Sequence, residues 1–323
     1  MRDLLSRRYE ETYAAHDVTF EVKEGEFVGF LGPNGAGKTT VLKMLAGLMH
    51  PTGGSATVLG YVPWERHYDY RRQFALLLGQ KNQLWWDLAA IDSLELNARI
   101  YGLSRNVFLR RVGELTEMLR VDGKLNVMVR ELSLGERMKM ELIAALLHQP
   151  RVLFLDEPTI GLDVISQNTV REFLKEHNRV HRTTIVLTSH YMGDIEALCD
   201  RVLIMDHGRL FFDGQFEDVM SRFAVHKIVS VSCTPIANIE DVPGSIRAIS
   251  QPFWSETEGL QFKVDRSKVP ALCRALLDHY AVTDIGITDV SAEEVIRQIF
   301  SSGLGAKESL RAADRHHVVP LRQ

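Results

Sequence analysis

The sequence predicts an α/β fold built on a buried parallel sheet, followed by a smaller α+β domain. Three observations predict it. A glycine-rich stretch, GPNGAGKTT over Gly32–Thr40, stands between an apolar run, Phe27–Leu31, and a segment whose Val41, Leu42, Leu45 and Leu48 recur at helical spacing. Two more apolar runs, Val152–Leu155 and Thr184–Leu187, end abruptly in polar residues, the pattern of strands buried on both faces. After Arg222, strand-like and helix-like segments succeed one another with apolar positions of their own, enough for a second, smaller core.

Taken in order, residues 1–13 are polar and basic, with Arg2, Arg7 and Arg8. Ala15–Val22 alternates well enough for a strand, and Lys23–Glu26 makes a turn. PTGGS at Pro51–Ser55 is a strong turn signal, with Ala56–Tyr61 expected as the returning strand of a hairpin. Phe74–Leu78 is a strand run ending in Gly79 and Gln80. Gln83–Leu119 changes character, with helical periodicity, dispersed charge and adjacent Trp85 and Trp86, and reads as a helical insertion. LSLGE at Leu132–Glu136 precedes a helix over Arg137–His148. Pro158–Asp163 is a loop, Val164–His177 a helix, Met192–Cys199 a short helix, and Val202–Met205 with Leu210–Phe212 a hairpin. Beyond it, Lys227–Ser232, Leu260–Val264 and Ile285–Val290 read as strands, and Pro270–Tyr280 and Ala292–Phe300 as helices. The expected organisation is a domain over 1–222, an accessory domain over 223–302 and a flexible tail over 303–323, with no tandem repeat.

The 323 residues are 45% hydrophobic and 25% charged, an ordinary balance for a soluble globular chain, and the net charge of −4 gives no general affinity for nucleic acid. Cys199, Cys233 and Cys273 are scattered, with no CxxC pair, which argues against a zinc site or a disulfide framework and fits a reducing compartment. No apolar stretch approaches the roughly 18 residues that cross a bilayer, and MRDLLSRRYEE lacks the apolar core of a signal peptide. The expectation is a cytosolic chain that reaches a membrane only through a partner.

The chemistry follows from residue types. Glycines at 32, 35 and 37 let the backbone take dihedrals closed to other residues and approach a ligand closely. The N–H groups of such a loop and of the helix behind it converge, and the helix dipole favours an anion there. Lys38 adds a full charge for β- and γ-phosphates, and the Thr39 hydroxyl is placed to ligate Mg²⁺. Asp156 and Glu157 emerge at the carboxyl edge of the sheet, where open α/β sheets bind ligands. Asp156 can hold Mg²⁺, directly or through water, and Glu157 can accept a proton from an attacking water. Ser133 and Gly135 at a helix start offer either a second anion site or a plain N-cap. His190 follows a buried strand onto the edge that carries Asp156, within reach of a terminal phosphate.

Together these residues resemble the nucleotide-binding subunit of ABC (ATP-binding cassette) transporters, over nearly all of residues 9–214 and with every motif in family order. The resemblance implies a P-loop NTPase fold with a RecA-like core, an antiparallel β subdomain and an α-helical subdomain. Gly32, Pro33, Asn34, Gly35, Ala36, Gly37, Lys38, Thr39 and Thr40 match its Walker A loop, and VLFLDE its Walker B strand with Glu157 as catalytic glutamate. Gln80 matches the Q-loop glutamine, implied to touch Mg²⁺ and to signal to a membrane partner, Gly161–Asp163 the D-loop, and His190 the switch histidine. Leu132–Glu136 matches the signature, so Ser133, Gly135 and Glu136, with Asp163, are implied to act on ATP across a head-to-tail homodimer or heterodimer. GQKNQLWWDL, LSLGERMKMEL, LDEPTIGLD and LTSHYMGDIEALC look like the ATPases of the sodium-extrusion group, which work with ABC-2 type permeases. That implies an ATP-hydrolysing exporter subunit with ATP and Mg²⁺ as cofactors, peripheral on the cytoplasmic side of the cell membrane through its permease.

The sequence departs from the family at three points. LSLGE stands where many relatives have LSGGQ, so Leu134 is expected to point away from the nucleotide. The aromatic that stacks on adenine is matched by spacing to Tyr9, with Tyr13 second. MRDLLSRR is a poor match to the family's first strand, and the expectation is that the sequence begins inside the true domain. Trp85 and Trp86 lie where the family receives a permease's coupling helix, and core packing explains them equally well. Two rival classes fit less well. A soluble ABC ATPase of the DNA-repair kind needs a long coiled coil before the signature, and the ribosomal kind two cassettes in one chain. A phosphotransferase has no use for LSLGE, Asp163 and His190 together.

Overall fold

Buried strand runs and amphipathic helices alternate through the first two thirds of the chain. The structure is a computed structural model and describes residues 13–79, 82–189, 191–234, 239–255 and 259–301. Contacts divide the chain into two units, the first reaching Gln215 and the second beginning at Phe216. In the first, β1 (Phe27–Leu31) leads into α1 (Lys38–Leu45); α2 (Tyr68–Arg71) precedes β2 (Phe74–Leu78). Then come α3 (Ala90–Ile100), α4 (Arg105–Leu119), α5 (Leu134–Leu146), β3 (Val152–Asp156), α6 (Val164–His181), β4 (Thr184–Thr188), α7 (Met192–Leu198), β5 (Arg201–Asp206) and β6 (Arg209–Gln215).

These six strands form one sheet in the order β2-β3-β4-β1-β5-β6. Pairing is parallel except between β5 and β6. All five residues of β1 and of β4 are buried, as the apolar runs require. Parallel strands deliver their carboxyl ends to one edge, so the loops after β1, β2, β3 and β4 open on the same side.

The fold class is the expected one, with local differences. Ala15–Val22 is not a strand. Ala15, Val18, Phe20 and Val22 pack over Val28, Phe30, Leu42 and Phe154, and Phe20 meets Phe30 edge-on with ring centroids 5.3 Å apart. Its apolar alternation therefore serves to cover the sheet rather than to join a ladder. Ala56–Tyr61 forms an isolated bridge, Val58 with Tyr61, around Gly60 at φ 82°. The helix after the signature starts at Leu134 rather than Arg137, and α6 runs to His181.

The second unit opens with α8 (Phe216–Phe223), so the expected division after Arg222 runs through a helix. It continues with β7 (His226–Thr234), α9 (Gly244–Arg247), β8 (Gln251–Ser255), β9 (Gly259–Asp265), α10 (Val269–His279), β10 (Ala281–Asp289) and α11 (Ala292–Ser301). Its antiparallel sheet has the order β10-β7-β9-β8, and Val229, Val231, Leu260, Phe262 and Val264 form a core with Ile246, Leu272 and Leu276 from the helices. β8 is the strand that sequence reading misses; Pro252 and the polar residues around it hide the pattern. Among the described residues no helix is long and apolar enough to cross a membrane.

Burial gives the first unit a pH-sensitive core. His177 on α6 is 5% exposed, leans on Phe173 and His181, and has no partner at Nδ1. Burial, then the neighbouring His181, pushes its pKa down to about 4. His148, stacked on Tyr101 at 3.8 Å, is held at about 4 chiefly by burial. An unfolded histidine titrates near 6.5, so between about pH 6.5 and 4 the unfolded chain binds more protons than the folded one. Stability is therefore full above about pH 6.5 and is lost as pH falls through this window, by up to roughly 1.4 kcal/mol for each pH unit and each histidine. Thermal melts should show Tm falling from about pH 6.5 to 4.5, and His177→Leu should flatten part of that fall; an unchanged slope in the variant would remove His177 from the account.

Candidate active site

The glycine-rich loop leaves β1 at Leu31 and enters α1 at Lys38. Two of its glycines are required by space as well as by dihedral. A Cβ on Gly32, at φ 154°, would lie 2.4 Å from the Met205 carbonyl oxygen, and one on Gly37, at φ 101°, would lie 2.1 Å from that of Ala14. Pro33, Asn34 and Gly35 are exposed, whereas Ala36 is buried under the loop. Lys38 is 6% exposed and its Nζ donates back to the carbonyls of Gly32 (2.7 Å) and Pro33 (3.1 Å). Burial lowers the Lys38 pKa, and the Glu157 and Asp156 carboxylates oppose that shift. A desolvated cation in a loop of exposed backbone fits a phosphate group.

Asp156 ends β3 at the same edge. Its carboxylate accepts from Thr39 Oγ1, 3.0 Å from each oxygen, and from Thr188 Oγ1 at 2.6 Å. A hydroxyl and a carboxylate side by side are hard oxygen donors of the kind Mg²⁺ takes. Among the described residues no group of three or more His, Cys, Asp or Glu gathers as an alternative metal site. Glu157 turns out of the strand at φ 54°, a left-handed conformation that costs a side-chain-bearing residue about 1–2 kcal/mol. Its N–H donates to the Thr188 carbonyl (2.9 Å) and Oγ1 (3.2 Å), which fixes the turn to the end of β4. Gly79 N–H donates to the Asp156 carbonyl at 2.8 Å, and a Cβ on Gly79 would meet the Glu157 carbonyl at 2.5 Å, so the chain leaving β2 crosses directly over the two acids. Gln80, His190 and Tyr9 lie outside the described residues. Tyr13 is 68% exposed.

The signature is a separate construction. Ser133 caps α5 in a reciprocal capping box: Glu136 N–H donates to Ser133 Oγ (3.3 Å) and Ser133 N–H to Glu136 Oε2 (2.9 Å). Lys124 Nζ lies 3.0 Å from Glu136 Oε1. The Ser133 backbone N–H first, then Lys124, hold the Glu136 carboxyl below its usual pKa. Leu134 is exposed beside Gly161. A Cβ on Gly135 would lie 2.5 Å from Ser166 Oγ, which donates to Asp163 Oδ2 at 2.7 Å, while Asp163 Oδ1 caps α6 through Ser166 N–H. Signature and D-loop thus pack as one body.

That body stands away from the phosphate loop. α5 packs against β2, which lies three places from β1 in the sheet, about 14 Å at the usual strand spacing. The structure therefore brings Lys38, Thr39, Asp156 and Glu157 together, while Ser133, Gly135 and Glu136 belong to a helix that packs on β2, across the sheet from the strand that leads into the phosphate loop, and Asp163 packs with them. Trp85 and Trp86 are 42% and 44% exposed, with the Arg137 guanidinium 5.3 Å from the Trp86 ring centroid, so core packing does not explain them. Thr188 and Ser166 are polar contacts to which motif reading gives no role.

Comparison with known proteins agrees with this geometry. The ABC transporter family profile matches residues 15–160. The chain is similar to the ABC transporter ATP-binding protein NatA of Bacillus subtilis, 35% identical over 66% of this chain and 88% of the relative. It is similar to the Nod factor export ATP-binding protein I of Cupriavidus pinatubonensis, 34% identical over 78% of this chain and 75% of the relative. A dimeric post-hydrolysis structure of the ATP-binding cassette MJ0796 bound to ADP and Pi superposes with a TM-score of 0.59 at 25% identity, covering 65% of this chain and 94% of that one.

The capping box also explains the glutamate of LSLGE, since either Glu or Gln can close such a box. Urea unfolding should find Glu136→Ala destabilised by about 1 kcal/mol and Glu136→Gln by clearly less. Equal losses would mean that the Lys124 pair, rather than the cap, is what Glu136 supplies.

Proposed function

The chain belongs to the ATP-binding proteins of ABC transporters, and on that premise we propose that it is the ATP-hydrolysing subunit of an ABC-2 type exporter. The observation that carries the reading is the cluster of Lys38, Thr39, Asp156 and Glu157 at one sheet edge, tied by the Thr39–Asp156 and Thr188–Asp156 hydrogen bonds. Residues Gly32–Thr40 hold the phosphates of ATP, with Lys38 on the terminal ones. Thr39 and Asp156, with Gln80, hold Mg²⁺, which when bound neutralises charge on the phosphate oxygens. Glu157 accepts the proton of the attacking water, and Lys38 and His190 stabilise charge on the γ-phosphate.

Ser133 and Gly135 complete the site from a second copy or a paralogue. The separation of signature and phosphate loop within one chain supports that arrangement, and the relative MJ0796 forms a dimer. A head-to-tail pair would place the α5 N-terminus of each subunit on the other's ATP, with Asp163 and Glu136 shaping that surface. Closure on ATP and opening after hydrolysis then move a membrane partner, to the extent that the two states differ in affinity for ATP and ADP. Trp85 and Trp86, exposed just past Gln80, are the proposed contact for an ABC-2 type permease on the cytoplasmic face of the membrane. The names of NatA and of the Nod factor protein support the exporter class; they do not carry a cargo over to this chain.

Three outcomes test this. Glu157→Gln should lower kcat by about 100-fold or more while ATP binding persists, and on a sizing column with ATP the variant should elute as a dimer. A monomer at every ATP concentration would argue against the sandwich. Ser133→Arg should bind ATP yet lose hydrolysis, and normal turnover would deny the signature a role in trans. Affinity purification of the chain from gently solubilised membranes should bring down a stoichiometric multi-span partner; recovery only with ribosomes or DNA would move the protein to the soluble class.

A further inference from the structure

Asp194 is a fully buried carboxylate to which none of the motifs assigns a role. A buried charge persists only when it is paired and hydrogen-bonded, and Asp194 is both. Arg171 Nε of α6 donates to Oδ1 at 2.6 Å. The other oxygen, Oδ2, accepts from two hydroxyls at once, Ser189 Oγ at 2.7 Å and Thr159 Oγ1. Those hydroxyls belong to two different loops of the site. Thr159 stands two residues beyond Glu157 and is joined to it through Pro158, whose ring fixes φ and stiffens the link. Ser189 follows Thr188 at the end of β4, and its Oγ also accepts from the Tyr191 N–H at 3.0 Å.

Glu157 and Thr188 are already joined on the near side by the Glu157 N–H bonds. Asp194 closes the far side. The Glu157 turn, held at φ 54°, is thus clamped between the end of β4 and α7. We propose that Asp194 is a positioning residue for hydrolysis: its Oδ2 fixes the Glu157 turn against the end of β4 through Thr159 and Ser189. Asp194 touches no substrate. It acts by holding the Glu157 carboxylate at the distance proton transfer needs, and a misplacement of about 1 Å in such a group can cost on the order of 100-fold in rate. The proposal rests on Glu157 as the base, as read above.

The test uses two variants at one position in the full chain. Thr159→Val keeps the volume and removes the hydroxyl; Thr159→Ser keeps the hydroxyl. At saturating ATP, Thr159→Val should lose about tenfold or more in kcat, with affinity for a fluorescent ATP analogue within about twofold of the unaltered chain, because the phosphate loop is untouched. Thr159→Ser should retain kcat within about twofold. Should Thr159→Val fail to fold, Ser189→Ala is read in the same way from the other arm. A normal kcat in the hydroxyl-less variant overturns the proposal, and so does a loss in kcat matched by an equal loss in nucleotide affinity, which marks a merely structural role. An unaltered chain with no ATPase activity would instead defeat the proposed function, so the two failures are distinguishable.

Discussion

The hydrogen bonds that Asp156 accepts from Thr39 and Thr188 are the contacts on which the site depends. Each partner comes from a different strand–helix unit: Thr39 from the helix after β1, Asp156 from β3, Thr188 from β4. The order β3-β4-β1 puts these three strand ends next to one another, and parallel pairing puts them at one edge. A carboxylate there is exposed to ligand on one side and anchored by hydroxyls on the other. The Glu157 turn then hangs from the same point, because its N–H bonds to Thr188. Slippage of β3 against β4 by one residue would dismantle all of these contacts together.

The same economy governs the signature. Ser133 caps α5 and is also exposed, and the capping box allows both, with Glu136 accepting from the Ser133 N–H. Gly135 is required by contact rather than by dihedral, since Ser166 Oγ occupies the place a Cβ would take. Because Ser166 is bound by Asp163, a change in the D-loop is felt at the signature without passing through the sheet.

The parts of this structure that sequence makes legible are those whose chemistry is local. The phosphate loop, β2, β3, β4 and most helices follow from runs, spacings and glycines, and the Lys38–Thr39–Asp156–Glu157 cluster follows from where parallel strands must end. The parts that are not legible depend on distant partners. Ala15–Val22 has strand-like alternation, yet its apolar residues fold down onto Phe30 and Leu42. The start of α5 at Leu134 is the local exception: a capping box between Ser133 and Glu136, three residues apart, decides it, and the sequence reading of Ser133 already allows an N-cap beside an anion site. The clamp at Asp194 joins residues 159, 171, 189 and 194 from four segments, and no spacing along the chain announces it.

Charge explains why the proposed site takes a divalent cation as well as a nucleotide. Lys38 is desolvated, which disfavours its charged form, and Asp156 and Glu157 favour it. A triphosphate on the loop supplies more negative charge than one lysine offsets, and it does so beside two carboxylates. At an effective dielectric near 20, like charges about 4 Å apart repel by about 4 kcal/mol, more than the single buried cation can absorb for every pair. The loop N–H groups and the α1 dipole take part of that load. The remainder calls for a second positive charge between phosphate and Asp156, and Thr39 stands at that place with an oxygen donor. In the proposed function Asp156 is then the residue that would call for the metal and, with Thr39, the one that would hold it.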